Sequence, residues 1–114
     1  MSASVVRWLR MHARQLAAAI DASDLFERLA PCSLSTVCFR YIPRDRQMST
    51  ADLDGLNRAI MLDVQHGGLA YLSNTTLGGR FALRACILNY RTSDRDIPSL
   101  LEIIEEAAER LLPP

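Results

Sequence analysis

Every basic side chain apart from two histidines is an arginine: the sequence holds 13 Arg and no Lys. Schiff-base chemistry needs a lysine amine, and so does the phosphate-cradling loop of nucleotide-binding proteins, so neither can be assembled from these residues. A guanidinium supplies something else, a planar fork that stays charged and pairs bidentately with a carboxylate. Arg84 is the first candidate for that work. It lies among Ala82, Cys86 and Leu88 on one face of an alternating run. A charge on a mostly apolar face needs an anion, either an internal carboxylate such as a glutamate of the last helix or a ligand. Arg40, beside Cys38 and Ile42, is expected to form a structural pair or to reach the sheet edge. Arg44 and Arg46 read as part of a solvated loop.

The other reactive side chains do not assemble into motifs. His12 and His66 are isolated, no serine or cysteine nucleophile motif accompanies them, and His66 fits a last helical turn, where a cation is favoured. Cys32, Cys38 and Cys86 are odd in number and lack CxxC spacing, which predicts buried free thiols in a reducing, cytoplasmic compartment and no metal site. Gly78-Gly79 reads as a turn, Trp8 as packing, and Glu102, Glu105, Glu106 and Glu109 as a solvated helix face. The formal net charge of zero argues against a nucleic-acid or membrane-surface binder, and no apolar run approaches membrane-spanning length.

These residues must be positioned by one domain, because 114 residues with 49% hydrophobic side chains supply a single modest core. Val5, Trp8, Leu9, Leu16 and Ile20 recur at helical spacing and predict a leading helix over residues 1–22. A short stretch, Leu25 to Ala30, offers a first strand before Pro31. Ser33 to Ile42 is β-branched and aromatic and reads as a central strand, with Val37, Phe39 and Tyr41 on one face. Ser49 or Thr50 caps a helix that runs to about His66 and stops at Gly67-Gly68. Leu69 to Ser73 reads as a strand, residues 74–79 as its turn, and Arg80 to Leu88 as the antiparallel partner with Phe81, Leu83, Ala85 and Ile87 on one face. Thr92 or Ser93 caps a last helix from about Asp94 to Leu112. The order predicts an α+β two-layer sandwich, an antiparallel sheet of three to four strands covered by helices, with residues 23–114 as the sandwich proper.

Three segments in order carry a resemblance. They are Leu34-Ser35-Thr36-Val37-Cys38-Phe39-Arg40; Tyr71 to Thr75 running on through Gly79-Arg80-Phe81-Ala82-Leu83-Arg84; and Cys86-Ile87-Leu88-Asn89-Tyr90-Arg91-Thr92 followed by Asp96-Ile97. Together they resemble the small C-terminal domain of the group II pyridoxal-phosphate-dependent amino-acid decarboxylases, most closely the aromatic-amino-acid branch. One departure is Asn74, where that branch commonly has histidine. The resemblance implies the small domain of a fold-type I enzyme, a carboxy-lyase acting on an aromatic amino acid. It also implies that the lysine and the other groups that hold pyridoxal phosphate belong to a large domain absent from these 114 residues. On that footing the chain binds no cofactor alone, is inactive by itself, works with the large domain and within a homo-oligomer, and offers Arg84 to the substrate carboxylate. The alternative expectation is a free-standing, non-catalytic module that dimerises or binds a small acid through Arg84.

Overall fold

In the computed structural model, which describes residues 3–31, 35–67, 72–86 and 96–112, one helix precedes a short strand, and two further helices alternate with strands. Helix α1 spans Ala3–Ala22, strand β1 Phe26–Arg28, β2 Thr36–Tyr41, helix α2 Thr50–Gly67, β3 Leu72–Leu77, β4 Arg80–Cys86 and helix α3 Asp96–Leu111. The four strands form one antiparallel sheet in the order β1-β2-β4-β3, and the helices pack against one side of it, the α+β arrangement expected. The proposed caps Thr92 and Ser93, like Ile87 and Leu88, lie outside the described residues.

Alternation along the strands sorts the side chains. Val37, Phe39 and Tyr41 of β2 and Phe81, Leu83 and Ala85 of β4 point into the core, with Leu9, Leu16 and Ile20 of α1, Leu56, Ile60 and Val64 of α2, and Leu101 and Ile104 of α3. Phe26 meets Phe39 and Tyr41 edge-on, with ring centroids 5.8 and 5.7 Å apart, an arrangement that aligns ring edges with ring faces.

Two polar clamps fix the helix layer to the sheet. Asn57 of α2 is fully buried; its Oδ1 accepts from the Tyr41 N–H at 2.7 Å, and its Nδ2 donates to the carbonyls of Tyr41 at 3.1 Å and Leu53 at 2.9 Å. Tyr41 ends β2, so a side chain satisfies backbone groups there. Asp54 accepts from the Phe81 N–H at 3.0 Å. Ser49 is the α2 cap: its Oγ accepts from the Asp52 N–H at 3.1 Å.

One boundary differs from the expectation. Residues 74–77 are strand rather than turn, paired from Asn74↔Leu83 to Leu77↔Arg80. The turn is Gly78-Gly79 alone, with φ of 58° and 77°, the two-residue hairpin geometry that asks for positive φ at both positions. Trp8 packs on the core, as expected of it, and lies 4.1 Å, centroid to centroid, from the ring of buried His12.

Candidate functional site

Because β4 is flanked by β2 and β3, its residues that point away from the core stand in the middle of the sheet's other face. The register sets Arg84 opposite Cys38 of β2 and opposite Ser73 of β3. The Arg84 side chain is exposed, and its own carbonyl accepts from the Ser73 hydroxyl at 3.5 Å. No carboxylate pairs with the Arg84 guanidinium among the described residues. The glutamates of α3 are unsuited to the role because α3 packs on the opposite side of the sheet. The cross-strand partners of Arg84, Cys38 and Ser73, and Ala82 two residues before it, are small. A guanidinium so placed can take a carboxylate through two parallel N–H···O bonds.

The same face carries a second cationic group that is spoken for. Glu27 of β1 is paired across the ladder with Arg40 of β2. Its Oε1 lies 3.3 Å from Arg40 Nη2 and 3.2 Å from Arg80 Nη1, and Arg40 Nη2 also donates to Oε2 at 3.5 Å. The Arg40 side chain is only 11% exposed, and its Nε and Nη1 are buried without an acceptor among the described residues. Arg40 therefore has the structural partner expected of it. With three guanidiniums on this face and Glu27 paired with two of them, Arg40 and Arg80, the local potential favours an incoming anion.

The remaining candidates are dispersed. Arg44 pairs with Asp24 at 3.6 Å and Arg46 with Asp45 at 3.5 Å, in and around the loop before α2. His12 is 2% exposed, with Nδ1 3.0 Å from the Trp8 carbonyl. Cys38 is half-buried rather than buried and forms no disulfide, whereas Cys32 lies outside the described residues. Among the described residues no group of three His, Cys, Asp or Glu could hold a metal ion, and no helix is long and apolar enough to cross a membrane. Sequence reading missed Glu27. Its signal was faint: an acid in a three-residue strand, 13 positions from one partner and 53 from the other.

Among the described residues two groups shift from their ordinary values, both on the helix side. Burial, with the carboxylates Glu109, Glu105 and Asp45 nearby, raises the Tyr41 phenol. Burial, then the neighbouring charges of Glu102 and Glu109, raises Glu105, against a small opposing effect of Arg44. Neither group lies on the Arg84 face.

No protein-family model matches the chain. It is 31% identical over 101 residues to an aromatic-L-amino-acid decarboxylase of Bacillus atrophaeus, and 32% identical over 93 residues to a tryptophan decarboxylase of Camptotheca acuminata. These matches take in 89% and 82% of the chain but 21% and 18% of the relatives, so the chain spans about a fifth of their length. Among solved structures, the glutamate decarboxylase domain of a Vibrio parahaemolyticus diaminobutyrate-pyruvate transaminase and L-2,4-diaminobutyrate decarboxylase superposes with a TM-score of 0.83 at 35% identity. That match covers 95% of this chain and 22% of the other. Oryza sativa TDC, solved with PLP and tryptamine, gives a TM-score of 0.84 at 25% identity, covering 95% and 23%.

Proposed function

We propose that this chain, which sequence and fold make a relative of one part of the group II pyridoxal-phosphate-dependent amino-acid decarboxylases, is the C-terminal small domain of such a carboxy-lyase and presents Arg84 to the substrate's α-carboxylate. The observation that carries the reading is the exposed Arg84 guanidinium, without a carboxylate partner among the described residues, at the centre of the sheet face opposite the helices. The substrate proposed is an aromatic amino acid, after the names of the relatives, and the compartment the cytoplasm, in keeping with three cysteines that lack disulfide-framework spacing.

Pyridoxal phosphate does not fit this chain's own residues. There is no lysine amine with which its carbonyl could condense. Cofactor attachment and the electron sink are therefore assigned to a partner domain, and these residues bind and orient. Arg84 would hold the carboxylate by charge and by two hydrogen bonds, while the Glu27-Arg40-Arg80 cluster keeps two further cations tied up beside it. The test is to assemble the chain with a cofactor-binding large domain and follow release of carbon dioxide from aromatic amino acids. Turnover in the assembled protein and none above the cofactor-only background in the isolated chain is the expected result. Turnover by the isolated chain, or none when a folded assembly has formed, would overturn the reading.

A further inference from the structure

The carboxylate of Glu27 leaves its two guanidiniums with donors to spare. Each guanidinium offers about five N–H groups, yet among the described residues Glu27 is reached only by Nη2 of Arg40 and Nη1 of Arg80. Nε and Nη1 of Arg40 are buried with no acceptor among those residues, a state that an acceptor from outside the chain relieves. The side chains of Glu27 and Arg80 reach solvent, so an anion can come to the point where the Glu27 carboxylate lies. Arg84 stands close by. Phe39 pairs with Leu83, so Arg40 comes level with Ala82, and Arg40 and Arg84 are diagonal neighbours on one sheet face, about 7–8 Å apart at Cα. Ala82 also lies midway between Arg80 and Arg84 on β4, and its methyl group puts neither bulk nor charge between them.

We infer that Glu27 is a selectivity residue: its carboxylate fills, from within the chain, the place at which the second carboxylate of a dicarboxylic acid would bind. This face then takes a ligand with one carboxylate at Arg84 and turns away a ligand with two. The ligand class follows from the spacing. A short, flexible dicarboxylate such as glutarate spans two neighbouring guanidinium sites, one carboxylate on Arg84 and the other on the Arg40-Arg80 pair. With Glu27 in place that second carboxylate meets a like charge and guanidiniums already engaged, and repulsion of the wrong ligand is a source of specificity in its own right. Arg40 alone would complete a structural pair with Glu27; Arg80 reaches past β2 to the same carboxylate, which sets two cations around one anion as an anion-receiving site does. The inference rests on the decarboxylase reading only in taking the Arg84 ligand to be a substrate; the binding itself is a property of this chain.

Titration of the chain with glutarate and with its monoamide, which has the same length and one carboxylate, reads the selectivity through the Nε–Hε NMR signals of the arginines. In the unaltered chain the two ligands should bind within ~2-fold of each other, move the Arg84 signal and leave those of Arg40 and Arg80 in place. In Glu27→Ala, glutarate should bind at least ~10-fold more tightly than the monoamide, because its two carboxylates are tethered, and should move the Arg40 and Arg80 signals as well. The urea midpoint of that variant should rise with glutarate, since a ligand held by the folded state alone stabilises it. In Glu27→Ala/Arg84→Met the preference should fall to within ~2-fold. The first titration needs no variant to fold: a glutarate preference of ~10-fold or more in the unaltered chain, with Arg40 and Arg80 responding, would overturn the inference. So would a folded Glu27→Ala without the preference, a preference that survives Arg84→Met, or a Glu27→Ala chain that stays unfolded even in glutarate. An Arg84 signal that neither ligand moves counts against the decarboxylase reading, whereas Arg40 and Arg80 signals that stay fixed in Glu27→Ala count against this one.

Discussion

Glu27→Ala removes the carboxylate that two guanidiniums share. Arg80 is 40% exposed and can recover its hydration, but Arg40 is 11% exposed and already has two nitrogens without acceptors among the described residues, so the change strands it as a buried charge. Breaking a buried pair from one side costs about 3–5 kcal/mol; because Glu27 is itself 37% exposed, the expected loss is nearer 2–3 kcal/mol. With a urea slope of about 1–1.5 kcal/mol per molar, the unfolding midpoint should fall by roughly 2 M. The stronger expectation concerns the double change. Adding Arg40→Met to Glu27→Ala replaces the stranded cation with an apolar side chain of similar length, so the pair of substitutions should return to within about 1 kcal/mol of the original stability. Urea unfolding of the two single variants and the double variant measures the cycle. A Glu27→Ala loss below about 0.5 kcal/mol, or a double variant less stable than Glu27→Ala alone, would refute the account of Arg40 as a buried cation dependent on Glu27.

Three further outcomes are expected. Asn57→Ala leaves the Tyr41 N–H and carbonyl unpaired where β2 meets α2, and should cost about 3 kcal/mol in a chemical melt. Gly79→Ala forces a side chain onto a φ of 77° and should cost about 1 kcal/mol, although no atom lies within 4 Å of the added Cβ; the cost is conformational, so Gly79→Asn should lose less. Glu105→Gln bears on pH. Because folding raises the Glu105 carboxyl, the native state binds its proton more tightly, and this group's contribution to stability declines as pH rises through and above the ordinary carboxylate range. The glutamine variant should be more stable than the original chain at pH 7 by about 0.5 kcal/mol, the size of two like-charge helix pairs. That advantage should vanish once the carboxyl is protonated in both states. Thermal melts across pH check it, and an advantage that grows on acidification would contradict the sign.

The period-two patterns of β2 and β4 were legible because each places apolar residues, Val37, Phe39 and Tyr41 or Phe81, Leu83 and Ala85, at alternate positions, with charged, polar or small residues between them. Burial of one sheet face imposes that alternation. Residues 74–77 were not, because β3 is an edge strand: Asn74, Thr75 and Thr76 meet solvent and carry no apolar alternation to read. Only cross-strand pairing with β4 makes them extended, and pairing is not a local property. The leading helix was legible from its apolar stripe, Trp8 included, but the contact between the Trp8 ring and buried His12 was not, because it depends on how α1 packs. At the candidate site the residue type and strand face of Arg84 were readable. Its freedom from the α3 glutamates was not, since that depends on which side of the sheet the helix packs. The Glu27 cluster was hidden for the same reason, its members being joined only by the closure of β1 onto β2.

The central claim is that Arg84 receives a carboxylate, and it is tested most directly by comparing an amino acid with its own amine. In the chain assembled with its cofactor-binding domain, kcat/KM for the amino acid and the dissociation constant of the corresponding amine are measured for the unaltered protein and for Arg84→Met. Loss of one charged hydrogen-bonding partner is worth about 2–4 kcal/mol, so kcat/KM should fall roughly 30- to 1000-fold. The amine has no carboxylate to lose, so its affinity should stay within about 2-fold, and the isolated variant should melt within about 0.5 kcal/mol of the original. Equal losses for amino acid and amine, or a variant whose kcat/KM is unchanged, would contradict the assignment.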